Sequence, residues 1–148
     1  MEKSFITENA IARTQLVSLV KQLTDDDLKR DAGEGWTVAV ILAHLAFWEL
    51  RTIVLLKRWK KTGVSSSPVD IEVLNEALLP LCKAIVPKTA AELAVTTAEE
   101  ADKEIETLTD KLIMDIEALG DKRRLGRHIH RQMHIDQIQA ILGSSKSA

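Results

Sequence analysis

Apolar side chains recur every three or four positions through most of this 148-residue chain, and a chain with that period is committed to helix. Phe5, Ala12, Leu16, Leu19, Val20 and Leu23 mark a first helix over about residues 4–23. A second follows Thr37, whose hydroxyl suits an N-cap, and runs to about Lys61. Trp36 and Ile41 have the spacing of a hydrophobic staple at its start, and the basic end "KRWKK" suits the negative pole of its dipole. Thr89 and Glu92 form a capping-box pattern ahead of a third helix. Its stripe Ala94, Ala98, Ala101, Ile105, Leu108, Leu112, Ile116 and Leu119 predicts one element reaching Gly120. A fourth helix covers about residues 124–142 and stops before a flexible polar tail, 143–148.

The connection 62–88 opens with "TGVSSSPVD", a loop of small and polar residues, and holds a short helix interrupted near Pro80. No strand is expected, and "TDDDLKRDAGEG" is read as a break between the first two helices. The fold class is therefore all-α: a single domain over residues 1–148, a four-helix bundle with a long crossover between helices two and three. Aromatics at 3%, no Tyr, 6 Gly and 3 Pro agree, because Ala and unbranched side chains lose little entropy in a helix.

A net charge of −2 provides no electrostatic case for nucleic acid or an acidic membrane surface. The longest apolar run, "VAVILAHLAFWEL", is short for a bilayer span, and "MEKSFITENAIARTQ" lacks the apolar core of a signal peptide. One cysteine, Cys82, excludes an internal disulfide and fits a reducing compartment, so a cytoplasmic location is expected. Cys82 lies in an apolar stretch and reads as a buried thiol.

Three of the 4 histidines fall in "RHIHRQMHIDQIQAIL". His130 and His134, four apart, stack on one helical face within about 40°. Gln137, Ile138 and Ile141 continue that stripe inward. His128 falls on roughly the opposite side and is left out. His44 stands in helix two, on a face shared with Val40, Phe47, Trp48 and Arg51, roughly 10 Å from the helix start. His134 lies roughly 12 Å from the end of helix four, so the two can be level. Spacing alone leaves two readings open: His44, His130 and His134 hold a metal ion, or the rings hydrogen-bond one another in the core. Arg131 stands where a zinc protease places its glutamate, which excludes that chemistry.

In order and spacing, these segments resemble the DinB/YfiT-like superfamily along nearly the whole chain. "LTDDDL...GEGWTVAVILAHLAFWE", "VDIEVLNEALL" and "HRQMHIDQI" carry the likeness. The resemblance implies an up-down-down-up bundle, commonly a homodimer. It also implies a divalent ion, nickel or zinc, held by His44, His130 and His134. Relatives include transferases and isomerases that use a low-molecular-weight thiol such as mycothiol or bacillithiol. The chain departs from the family's common "HYxEH" form, with Arg131 for the aromatic and Met133 for the acid.

The expectation is thus a metal-binding protein, a candidate metal- and thiol-dependent transferase or isomerase acting on a small electrophile. The alternatives are a non-catalytic module for metal or small ligand and a structural dimeric bundle. Trp48 and Arg51 are candidate substrate-binding residues, with core packing and a solvent-reaching arginine as their ordinary readings. Glu49 is expected on another face, in a surface or interface ion pair. "DKRRLGRHIHR" collects positive charge at the start of helix four, read as a solvated face or an attractor of anions.

Overall fold

The computed structural model describes residues 1–144, so 145–148 of the expected tail lie outside the described residues. The described residues are all-α apart from one small ribbon. α1 (Ser4–Gln22) and α2 (Asp25–Leu28) are followed by β1 (Asp31–Gly33) and β2 (Trp36–Thr37). Then come α3 (Val38–Thr62), α4 (Ile71–Ala84), α5 (Pro87–Glu106), α6 (Asp110–Glu117), a 3-10 turn (Lys122–Arg124) and α7 (His128–Ser144).

α1 and α3 match the expected spans closely, and the Thr37 hydroxyl accepts from Val40 N as the N-cap pattern predicts. Five expectations about the elements are corrected. The break before α3 contains strands: β1 and β2 pair antiparallel around Glu34 and Gly35, whose φ values of 54° and 83° make a tight reversal. At three and two residues they are too short to show a period. Thr24 and Asp27 form a reciprocal capping box that starts α2 in the same stretch.

α4 runs through Pro80 instead of stopping there. Pro80 is exposed, and so is Glu76, the residue one turn earlier whose carbonyl loses its helical partner. α5 starts at Pro87, in the first-turn position where a missing N–H costs nothing, and not behind a Thr89 cap. The expected single third helix is two, α5 and α6, because Thr109 turns its hydroxyl to Leu112 N and caps a new start. Lastly, α7 begins at His128 and runs through Gly143 and Ser144, while 122–124 wind as a 3-10 turn capped by Asp121.

α3 packs on α5, α4 and α7, and α1 packs on α5 and α7, which closes a ring of four long helices. Small residues of α5 (Ala90, Ala94, Ala98 and Ala101) let α3 approach closely, and all four are fully buried. α3 is long and apolar enough to cross a membrane by composition, with mean hydropathy 1.8, but 67% of that stretch is buried in protein. It is the core helix.

Two apolar clusters form the interior. One gathers Leu16, Leu19, Ile41, Leu45, Ile135 and Ile138; the other gathers Leu56, Trp59, Ile105, Ile113 and Ile116. Between their levels the interior is polar, with Asn9, Glu49, Asp102, Arg127 and Arg131 all buried. Arg131 and Glu49 are 0% exposed. Arg131 Nε and Nη2 donate to Glu49 at 2.9 and 3.0 Å, Nη1 and Nη2 to Asp102 at 3.0 and 2.9 Å, and further bonds go to Asn9 O and Ala98 O. Arg13 closes on Asp102 at 2.6 Å and Arg127 Nε on Glu49 at 3.3 Å. Burial alone would lower the Arg131 pKa, but the Glu49 charge and the bonds to Glu49 and Asp102 outweigh it and raise the pKa. The surface pair expected for Glu49 is therefore corrected to a buried network that joins α1, α3, α5 and α7.

Candidate metal centre

Each histidine reaches the site because its helix is fixed on both sides of it. On α3, Thr37 caps the start and Glu49 locks the next turns to α7, leaving His44 on the inward face between them. On α7, the Arg131 anchor sets the rotation of the helix, and His130 and His134 flank it. Trp36, brought in by the β-ribbon, meets the His44 ring edge-on at 5.1 Å, and Trp48 meets it at 6.4 Å.

The three rings converge. Centroids of His44 lie 5.4 Å from His130 and 5.0 Å from His134, and those of His130 and His134 lie 4.5 Å apart. One ring nitrogen from each lies within 4.8 Å of the others, so the cluster can hold a metal ion. The Nε2 atoms of His130 and His134 are 2.9 Å apart, both turned to the shared space. Gln137 Oε1 lies 2.9 Å from His134 Nδ1, which places the proton on Nδ1 and leaves the Nε2 lone pair toward the cluster. His44 Nδ1 is buried with no hydrogen-bond partner among the described residues, a state that costs about 1–3 kcal/mol if nothing else satisfies it.

Electrostatics keep the rings neutral. Burial, then the neighbouring His134, lowers the His44 pKa to about 4. Burial, His134 and Arg127 lower that of His130 to about 2, and burial lowers that of His134 against the Gln137 bond. Neutral imidazoles are the form that donates to a metal, so the donor set fits a divalent cation. The alternative, rings bonded to one another, accounts for the His130–His134 contact but not for His44.

The trio sits in the wall of a cavity of about 800 Å³. Both candidate substrate residues line it: Trp48 Nε1 donates to Asn75 Oδ1 at 3.2 Å, and Arg51 Nη2 donates to Ser67 O and Oγ at 2.9 and 3.1 Å. Through these bonds α4 and the loop before it are tied over the site. Met133 is half exposed and lines the same cavity, whose carboxylates are Glu34 and Asp121. His128 stays outside, with Nε2 on Glu8 at 2.7 Å and its backbone N–H on Asn9 Oδ1 at 2.9 Å. Cys82 is buried, which pushes its thiol pKa up.

Sequence reasoning missed Arg127, Arg131, Glu49 and Asp102. A signal existed in the spacing: Arg127, Arg131, His134 and Ile138 form one inward stripe, as do Leu45, Glu49, Thr52 and Leu56, with charges of opposite sign on the two.

The family model of the DinB superfamily matches residues 9–142. No curated protein and no solved structure matches the chain.

Proposed function

The chain belongs to the DinB superfamily, and from that premise we propose that it binds a divalent metal ion through His44, His130 and His134. We further propose that it acts as a thiol-dependent transferase or isomerase on a small electrophile. The observation that carries this is the convergence of three neutral imidazoles, His44 and His134 buried and His130 partly so, within 4.8 Å at the wall of a cavity. Imidazole donors suit zinc and nickel. A divalent cation bound there supplies a lowered pKa to a coordinated thiol or water, giving a nucleophile near neutral pH. The protein's own residues do the rest. Gln137 fixes the His134 tautomer, the Glu49–Arg131–Asp102 network holds α3 and α7 in register, and Trp36 and Trp48 shield His44 from water.

The up-down-down-up topology belongs to the same reading. Arg13 of α1 meets Asp102 of α5 while Lys3 meets Asp110, so α1 and α5 run oppositely. Lys60 of α3 meets Glu104 of α5, and Glu49 meets Arg131 one level below His44 and His134, which supports α3 parallel to α5 and antiparallel to α7. A homodimer in the cytoplasm completes the proposal.

A non-catalytic metal or ligand carrier is the second reading, favoured by Met133 standing where related sequences carry an acid. Zinc- or nickel-loaded protein, incubated with a small thiol and a panel of electrophiles, separates the two. Metal-dependent thiol consumption that disappears in folded His44→Ala supports the enzyme. Metal uptake without turnover supports the carrier and overturns the enzyme.

A further inference from the structure

Arg127 is the surplus cation of the buried network. Glu49 and Asp102 are its two carboxylates, and Arg13, Arg131 and Arg127 face them. Arg127 is 5% exposed; its Nε bonds Glu49 and its Nη1 donates to Arg123 O at 2.9 Å. The residue lines the cavity, and its Nη2 is buried with no hydrogen-bond partner among the described residues. Arg124 also lines the cavity; its Nε is buried without a hydrogen bond among the described residues, though Asp121 Oδ2 lies 3.9 Å away and the guanidinium lies over Trp59, and Arg51 stands opposite on α3.

The register explains why they gather. Arg51 lies seven residues after His44, and Arg127 seven before His134. Because Glu49 pairs with Arg131 and Arg127 while His44 meets His134, moving forward along α3 tracks backward along α7. Both arginines therefore reach the same level, two turns or about 10 Å from His44 and His134 and about one turn from His130. The N-terminal pole of the α7 dipole adds positive potential at that end. Burial lowers the Arg51 pKa, and the like charges of Arg124 and Arg127 lower it further, with Asp121 opposing. Asp121 Oδ2, 3.9 Å from Arg124 Nε, and Glu49, paired with Arg127, offset part of the charge of the three arginines, and a bound anion offsets more of it.

We propose that Arg51, Arg124 and Arg127 form a subsite for the carboxylate or phosphate end of an organic anion, whose other end reaches the histidine trio within about 10 Å. This names a substrate class for the site proposed above and rests on that reading only for what lies at the far end of the cavity. Trp36, Trp48 and Met133 supply apolar wall between the two ends.

Isothermal titration of the purified chain with inorganic phosphate, and separately with succinate, tests it. The expected result is one saturable site for at least one anion, weakened about tenfold or more in Arg51→Gln and in Arg124→Gln. Both variants should melt within a few degrees of the parent. Saturation by phosphate alone assigns a phosphate-bearing ligand, and by succinate alone a carboxylate. His130→Ala, which leaves the arginines in place, should still bind the anion. Absence of saturable binding, equal affinity in both arginine variants, or loss of binding in folded His130→Ala overturns the proposal. Failure of the parent to take up zinc would overturn the metal reading and leave these titrations standing.

Discussion

Replacing Arg131 with Met removes the centre of the buried network while keeping most of the side-chain volume. Arg131 makes six hydrogen bonds, four to carboxylate oxygens and two to backbone carbonyls, from a fully buried position. Without it, among the described residues Glu49 keeps only the longer 3.3 Å contact from Arg127, and Asp102 keeps only Arg13. Removing one partner of a buried ion pair costs about 3–5 kcal/mol, because the remaining charge stays desolvated. For a domain of this size that corresponds to a drop in Tm on the order of 10 °C. Urea and thermal unfolding, followed by far-UV circular dichroism, measure it. Neutralising the orphan should recover part of the loss, so the Glu49→Gln/Arg131→Met double variant should deviate from additivity by about 1–3 kcal/mol. A loss below about 1 kcal/mol for Arg131→Met, or strict additivity, refutes the reasoning that this network locks α3 to α7.

Two further outcomes follow from the site. Gln137→Leu removes the partner that fixes the His134 tautomer, and competition titration with a metallochromic chelator should show metal affinity reduced by about 10- to 100-fold. Unchanged affinity would remove Gln137 from the centre. Below pH 6.5 the unfolded chain protonates histidines that the folded, metal-free chain keeps neutral, His44 down to about 4. The unfolded state therefore binds more protons, so stability of the metal-free protein falls as pH drops from 6.5 toward 4. Melting curves of chelator-treated protein across that range check the sign; a flat profile, with no excess loss over His44→Ala, contradicts it.

How much of this was legible in the sequence depended on whether periodicity and chemistry pointed the same way. They did in α1 and α3, where apolar stripes and the Thr37 cap agree, and in the histidine trio, where spacing by four and inward neighbours selected the rings that converge. Continuous periodicity concealed the break at Thr107–Thr109. Ile105, Leu108, Leu112 and Ile116 keep helical phase across it, and only the capping capacity of Thr109 marks it. α7 was hardest to read, because Arg131 and His134 face inward among apolar neighbours and blur its two sides. A charged residue taken alone is assigned to the surface, and Glu49 was. Only its pairing with Arg127 and Arg131, 78 and 82 positions away, makes burial affordable.

Elemental analysis of protein purified without chelator and supplied with zinc or nickel, alongside folded His130→Ala, tests the central claim most directly. About one ion per chain in the parent and little in the variant is the result the convergence of His44, His130 and His134 requires. A parent that takes up no metal, or a variant that retains as much as the parent, would contradict it.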